Sequence, residues 1–195
     1  MSKTRLEAFS DGVLAIIITI MVLELHAPHE GTLEALESVA VPFVSYVLSF
    51  VYVGIYWNNH HHMLHAARLV SGPVLWANLN LLFWLSLFPF VTDWMGESRW
   101  AALPTAAYGA ALFMAAIAYW ILQQTIIRQE GSESVLKRAV GRDLKGKLSP
   151  VFYIAGICVS FWHPVVSAAI YAAVALMWLV PDRRIERVLA DSEGE

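Results

Sequence analysis

The sequence predicts an all-α integral membrane protein with six transmembrane helices, and three observations carry that prediction. The 195 residues are 58% hydrophobic and only 15% charged, with a mean hydropathy of +0.56, far more apolar than a soluble domain needs for one core. Six apolar stretches run at roughly 6–25, 39–59, 73–95, 103–127, 148–162 and 165–180. Of the 13 lysines and arginines, every one except Arg99 falls on the same side of a chain that crosses at each stretch.

The stretches differ in length. A helix needs ~20 residues to span the hydrocarbon of a bilayer, and the first four reach that length. The fifth and sixth are shorter and are separated only by His163 and Pro164. Two thin crossings joined by a tight turn, or one re-entrant unit, fit that pattern, and the combined length favours two crossings. The first stretch carries Asp11 near its start and is followed by no small-residue cleavage site, so it reads as a span and not as a signal peptide.

The polar segments set the expected orientation. Lys3 and Arg5 precede the first span, Arg68 follows the second, six basic residues lie in 128–147, and Arg183, Arg184 and Arg187 lie in the tail. Both termini are therefore expected in the cytoplasm, with a multi-pass domain over 1–182 and a charged cytoplasmic tail over 183–195. The opposite side collects Glu24, Glu30, Glu34, Glu37, Asp93 and Glu97, which reads either as ordinary solvated loops or as a mouth that concentrates cations. A net charge of −3 with no basic stretch interleaved with aromatics excludes nucleic acid as a partner. One cysteine, Cys158, excludes an intrachain disulfide. No period of a repeat array is visible, so the spans form one domain.

The first span holds the most specific information. Ile16, Ile20 and Leu23 stand at i, i+4 and i+7 and share one helix face, with Thr19 beside them. Such a stripe serves packing in most bundles. Here it stands on a helix with Arg5 and Asp11 at one end and Glu24 at the other, and ionisable groups at membrane depth face protein or water, since a charge at the bilayer centre costs at least ~2.5–3.5 kcal/mol. That places the helix inside an assembly and away from lipid. Asp11 gains from the positive end of the helix dipole. Arg5 reads either as a headgroup anchor or as part of an Arg-Asp-Ser cluster that fixes the inner end of the helix.

The string R-x-x-x-F-S-D-G-V from Arg5 to Val13, followed by Ala15-Ile16, Thr19 and Leu23-Glu24-Leu25, resembles the first helix of the endolysosomal potassium channel family, transmembrane protein 175, in its single-repeat prokaryotic branch. Trp57 and His60 are similar to that family's Trp-x-x-His pattern on the second helix, and Asn78 and Pro89 to the polar start and Leu-Phe-Pro finish of the third. The resemblance implies a homotetramer of six-helix subunits in a prokaryotic plasma membrane, with the first helix lining a central potassium pathway. It implies a constriction of apolar side chains at Ile16, Ile20 and Leu23, a hydroxyl layer at Thr19, and Glu24 at the outer mouth. Arg5, Ser10, Asp11 and His60 would form a polar network that holds the pore helix. The sequence lacks a Thr-Val-Gly-Tyr-Gly stretch, so no carbonyl filter of the usual kind is available. The expected partners are potassium, other monovalent cations and the bilayer; no cofactor and no enzyme activity are expected.

His60, His61 and His62 are adjacent, and successive helical residues point about 100° apart, so the three do not converge on one metal within a helix. His61 and His65, four apart, have the spacing of a metal pair, yet no Glu-x-x-His motif accompanies them. The favoured account puts His60 in the first-helix network and the others at the cytoplasmic interface, where protonation at about pH 6 would tune opening. Trp94, Trp100 and Trp162 on one side, and Trp57, Trp76, Trp120 and Trp178 on the other, read as aromatic belts, whereas Trp84 lies mid-span and needs an acceptor for its indole. Asn78 and Asn80 read as interhelical hydrogen-bonding groups, and Gly109 as a close-packing position. A proton- or cation-coupled transporter and a His-cluster membrane metal enzyme are the alternative functions. The first lacks a mid-span carboxylate, and the second rests on His60 to His65 alone.

Overall fold

A computed structural model describes residues 2–179 except 29, 68, 132, 133, 135 and 138–143. The tail over 183–195 therefore lies outside the described residues. The helices are α1 (Lys3–Leu23), α2 (Leu33–Ser38), α3 (Ala40–Ala66), α4 (Gly72–Ser86), α5 (Phe88–Glu97), α6 (Ala102–Glu130), α7 (Leu144–Ser160) and α8 (Pro164–Leu179), and no strand occurs among the described residues. Helices α1, α3 and α6, and the near-continuous pair α4–α5, are each long and apolar enough to cross a bilayer.

Interhelical hydrogen bonds fix the directions. Trp57 Nε1 donates to Asp11 Oδ1 at 3.1 Å and Lys3 Nζ to the His65 carbonyl at 2.6 Å, so α1 and α3 run antiparallel. His60 meets Asn78 at 2.7 Å and Ser49 meets Thr92 at 2.7 Å, which sets α4–α5 antiparallel to α3. Ser49 with Tyr108 and the Asn59 carbonyl with Tyr119 set α6 parallel to α3. Helices α7 and α8 form an antiparallel hairpin: Ser167 donates to the Gly156 carbonyl and the Trp178 indole to Ser149, each at 2.8 Å. At 17 and 16 residues each leg reaches about 25 Å, shorter than the four long spans. The chain thus goes back and forth six times and returns α8 to the side on which α1 begins.

Three local differences from the sequence expectation have plain causes. Helix α3 continues past residue 59 to Ala66, so the histidines sit within the helix, and it ends only where Ala67 turns extended at φ −76° and ψ 131°. The third span is broken at Leu87, because Pro89 has no N–H to give and its ring crowds the carbonyl four residues earlier; Val91 N–H restarts the ladder on the Leu87 carbonyl at 3.0 Å. The 24–39 connection contains α2, capped by Thr32, whose hydroxyl accepts from the Ala35 N–H at 3.2 Å.

Tyr171 on α8 is where α3, α6, α7 and α8 meet. Its ring packs against Tyr108 and Tyr153, and its carbonyl accepts from Tyr52 at 2.7 Å. This crossing needs missing side chains: a Cβ on Gly109 would lie 2.0 Å from the Tyr171 hydroxyl, and one on Gly156 2.3 Å from its ring. Gly109 is a close-packing position, as its small neighbours suggested. Gly109→Ala and Gly156→Ala are each expected to destabilise by about 1–3 kcal/mol. Gly54→Ala, where a Cβ meets nothing within 4 Å, is expected to be neutral or mildly stabilising. Melting temperatures in detergent check the order, and equal melting of all three variants would contradict it.

The tryptophans are more engaged than an interface belt requires. Trp57, Trp100 and Trp178 donate to Asp11, Ser45 and Ser149. Trp84 corrects the sequence reading. It is half-buried, meets Phe83 edge-on with ring centroids 5.1 Å apart, and makes no indole hydrogen bond among the described residues. Its ring is not enclosed, so burial does not force its N–H onto a protein acceptor.

Candidate functional site

Helix α1 has two faces. Leu6, Ser10, Leu14, Ile17 and Met21 recur at spacings of three and four and are buried against α3, α4 and α5. The other face is bare within the protomer: Ile16 is 59% exposed, Ile20 40% and Leu23 72%, with Thr19 and Asp11 also exposed. The hydrocarbon stripe noted in the sequence is therefore not a packing face inside one chain. The Thr19 hydroxyl donates back to the Ala15 carbonyl at 2.8 Å, which fixes the side chain and leaves its oxygen lone pairs turned outward with the stripe.

The buried face is fastened by a polar chain. Asn78 on α4 donates through Nδ2 to Ser10 Oγ at 3.0 Å, and its Oδ1 meets His60 Nε2 at 2.7 Å. Ser10 in turn donates to the Leu6 carbonyl at 2.9 Å. All three side chains are essentially sealed, with Ser10 and Asn78 at 0% exposure and His60 at 3%. An asparagine carboxamide is suited to this bridge because it donates at one end and accepts at the other. His60 therefore presents an N–H to Asn78 through Nε2.

Of the residues expected in that network, Ser10 and His60 are joined through Asn78, and Asp11 is held separately by Trp57 at the exposed edge. Arg5 is exposed and stands outside this chain of bonds. Lys3, which sequence reasoning assigned only to orientation, ties the start of α1 to the end of α3. Asn78 is an interhelical hydrogen-bonding group, as the sequence suggested, but its two partners and the donor role of Trp57 were not legible there.

At the other end of α1, Glu24 is exposed and occupies the C-cap. It lines a shallow recess with Thr92 and Asp93, which puts two carboxylates on the rim. The histidine run supplies no convergent metal ligands among the described residues. His61 stacks between its neighbours, with ring centroids 6.4 Å from Trp57 and 6.2 Å from His65.

The arrangement is a helix clamped on one side by a sealed hydrogen-bonded chain and offering, on the other, aliphatic side chains, one hydroxyl row and an acidic rim. The model of the endosomal/lysosomal potassium channel TMEM175 family matches residues 5–89, which hold nearly all of α1, then α2, α3, α4 and the start of α5. A potassium channel of Chryseobacterium sp. (strain P1-3) is 53% identical over 192 residues, covering 98% of this chain and 100% of that relative. The endosomal/lysosomal proton channel TMEM175 of Bos taurus is 31% identical over 147 residues, 67% of this chain but only 31% of that relative. The crystal structure of a lysosomal potassium-selective channel TMEM175 homolog from Chamaesiphon minutus shares the fold, with a TM-score of 0.79 at 23% identity over 92% of this chain and 97% of the other. A fold held in common, a first-helix motif inside the matched segment and a full-length relative at this identity lead to one conclusion: the chain belongs to the TMEM175 family, a family of ion channels and not of enzymes.

Proposed function

We propose that this chain is a potassium-permeable cation channel in which four copies surround an axis lined by α1. The observation that carries the reading is the exposed stripe Ile16, Thr19, Ile20 and Leu23 on a helix whose opposite face is sealed into its own protomer. Symmetry-related copies of that stripe form a throat of branched hydrocarbon. A narrow apolar neck holds no hydrated ion without stripping its shell, so the closed state is a dewetted one and opening is a dilation. Potassium gives up its water at lower cost than sodium, and Thr19 oxygens replace part of what is lost, so selectivity is modest. Glu24 on the rim concentrates cations at the mouth. Ser10, Asn78 and His60 hold the helix, with Asp11 and Arg5 at its inner edge. The protein resides in a prokaryotic plasma membrane with both termini cytoplasmic, the basic residues lying on that side. It requires no cofactor beyond the permeant ion.

Purified protein in liposomes with an outward potassium gradient is expected to release potassium faster than it releases sodium under the matched gradient. Flux no greater than that of protein-free vesicles would overturn the reading. Passage of protons is a second reading that comes with the name of the bovine relative, and a pH dye in the same vesicles separates the two.

Thr19→Val is expected to reduce the potassium-over-sodium preference by roughly two- to tenfold, the size of losing about one weak oxygen contact per copy. Thr19→Ser is expected to preserve it. Reversal potentials under bi-ionic conditions decide; no shift for Thr19→Val would exclude the hydroxyl from the permeation path.

A further inference from the structure

Two rows of aromatic side chains are bare in the protomer besides the stripe of α1. Phe43, Phe50 and Trp57 stand seven residues apart on α3, Trp76, Phe83 and Phe90 repeat that spacing on α4–α5, and all six are 46–76% exposed. Residues seven apart return to nearly the same side of a helix, so each row is a continuous seam. The seams border the stripe from opposite sides. Asp11 on α1 accepts from Trp57 of α3, whereas Ser10 accepts from Asn78 of α4, and Glu24 shares a recess with Thr92 and Asp93 of α5. At 100° per residue this order puts α3 on one flank of α1 and α4–α5 on the other, with Ile16, Ile20 and Leu23 bare between them.

The seams also match in depth. Within the protomer Pro42 abuts Gly96, Ser49 bonds Thr92 and His60 bonds Asn78, so Phe43 is level with Trp94, Phe50 with Phe90 and Trp57 with Phe83. A rotation axis along the bilayer normal leaves depth unchanged, and each aromatic on one flank therefore faces a counterpart at its own level on the opposite flank of the next copy. Resting on the reading of α1 as the axis helix, we infer that copies of this chain join through a head-to-tail seam, the α3 row of one protomer against the α4–α5 row of its neighbour. Phe50 then meets Phe90 and Trp57 meets Phe83, in the offset or edge-on pairs that aromatic rings prefer. Lipid is the poorer occupant of this flank, because it would set the exposed Asp11 carboxylate and its bond to Trp57 against hydrocarbon, and a charged group at membrane depth faces protein or water. Contacts between unlike faces close into a ring when the rotation closes, which is the geometry that a throat built from α1 requires.

Disulfide trapping in the full-length protein in liposomes tests the seam. Cys158→Ser first removes the single native thiol. In that background Phe50→Cys combined with Phe90→Cys is expected to give, on oxidation with copper phenanthroline, a ladder of dimer, trimer and tetramer. Phe43→Cys with Trp94→Cys carries the same test nearer the outer surface if the first pair does not fold. Phe50→Cys with Trp76→Cys, whose levels differ by roughly 20 Å, is expected to give no ladder. Each cysteine alone is expected to stay monomeric, since a head-to-tail contact brings unlike residues together. No ladder from the matched pairs, in vesicles where an amine-reactive crosslinker captures tetramers, overturns the seam and leaves the channel reading standing, with both rows facing lipid. An amine-reactive crosslinker that captures only monomers overturns that reading and the seam together. Ladders of equal strength from the mismatched pair or from single cysteines also overturn the seam, because they report chance collision or a contact between like faces.

Discussion

Ile16→Asn is expected to convert a closed throat into a leak, raising resting potassium flux by about tenfold or more. The reason is the size of the apolar penalty that closure relies on. Keeping a side chain of this kind in contact with water and not hydrocarbon differs by ~1.5–3 kcal/mol per residue, and the throat repeats it in every copy. Losing even ~1.4 kcal/mol of that barrier raises the rate tenfold. The adjacent residue supplies the control. Ile17 is 3% exposed and belongs to the face sealed against the protomer, whereas Ile16 is 59% exposed. Ile17→Asn buries an amide without partners and is expected to cost about 1–3 kcal/mol of stability with no gain in leak from folded protein. Flux per folded channel, normalised by quantifying protein in the vesicles, separates the two outcomes. Unchanged resting flux for Ile16→Asn, Ile20→Asn and Leu23→Asn together would remove the gate from this helix.

Asn78→Leu is expected to cause the largest loss of stability among substitutions in the polar chain. It deletes bonds of 3.0 and 2.7 Å, leaving His60 at 3% exposure without its Asn78 partner and Ser10 at 0% exposure with only its own bond to the Leu6 carbonyl. Interhelical hydrogen bonds in membranes are worth ~0.6–2 kcal/mol, and each buried polar group left alone adds ~1–3, so the total is about 2–4 kcal/mol after partial relaxation. Asp11→Asn changes an exposed contact with Trp57 and is expected to cost about 0.5 kcal/mol or less. Thermal unfolding in detergent ranks them; a smaller shift for Asn78→Leu than for Asp11→Asn would mean that the sealed chain does not hold α1.

The hydropathy pattern located the long spans because crossing hydrocarbon demands about twenty apolar residues whatever the tertiary arrangement. It missed the break at Leu87, since the signal there is a single proline inside an unbroken apolar run. It ended the second span near residue 59, whereas α3 carries His60, Met63 and Leu64 onward into packed positions. Polarity ended the apolar run there, but burial did not end with it. Pairing was the weakest part. The sequence offered Arg5, Ser10, Asp11 and His60 as one network, but hydrogen bonds are made across helices and periodicity on one helix does not say which side chain on another will meet it. Asn78 closes the gap between Ser10 and His60 only because α4 runs antiparallel to α3 at that height.

By itself the sequence determined that the chain crosses a membrane several times, that its basic residues favour one side, and that Ile16, Ile20, Leu23 and Thr19 share a face of the first helix. These follow from composition and from the 100° step between residues, which are local properties of the chain. Only the tertiary structure decided that this face is the one left bare, that Asn78 joins Ser10 to His60, and that Gly109 and Gly156 make room for Tyr171. Those facts depend on which helices touch and at what depth, and contact between residues far apart in the chain is set by packing all the helices at once.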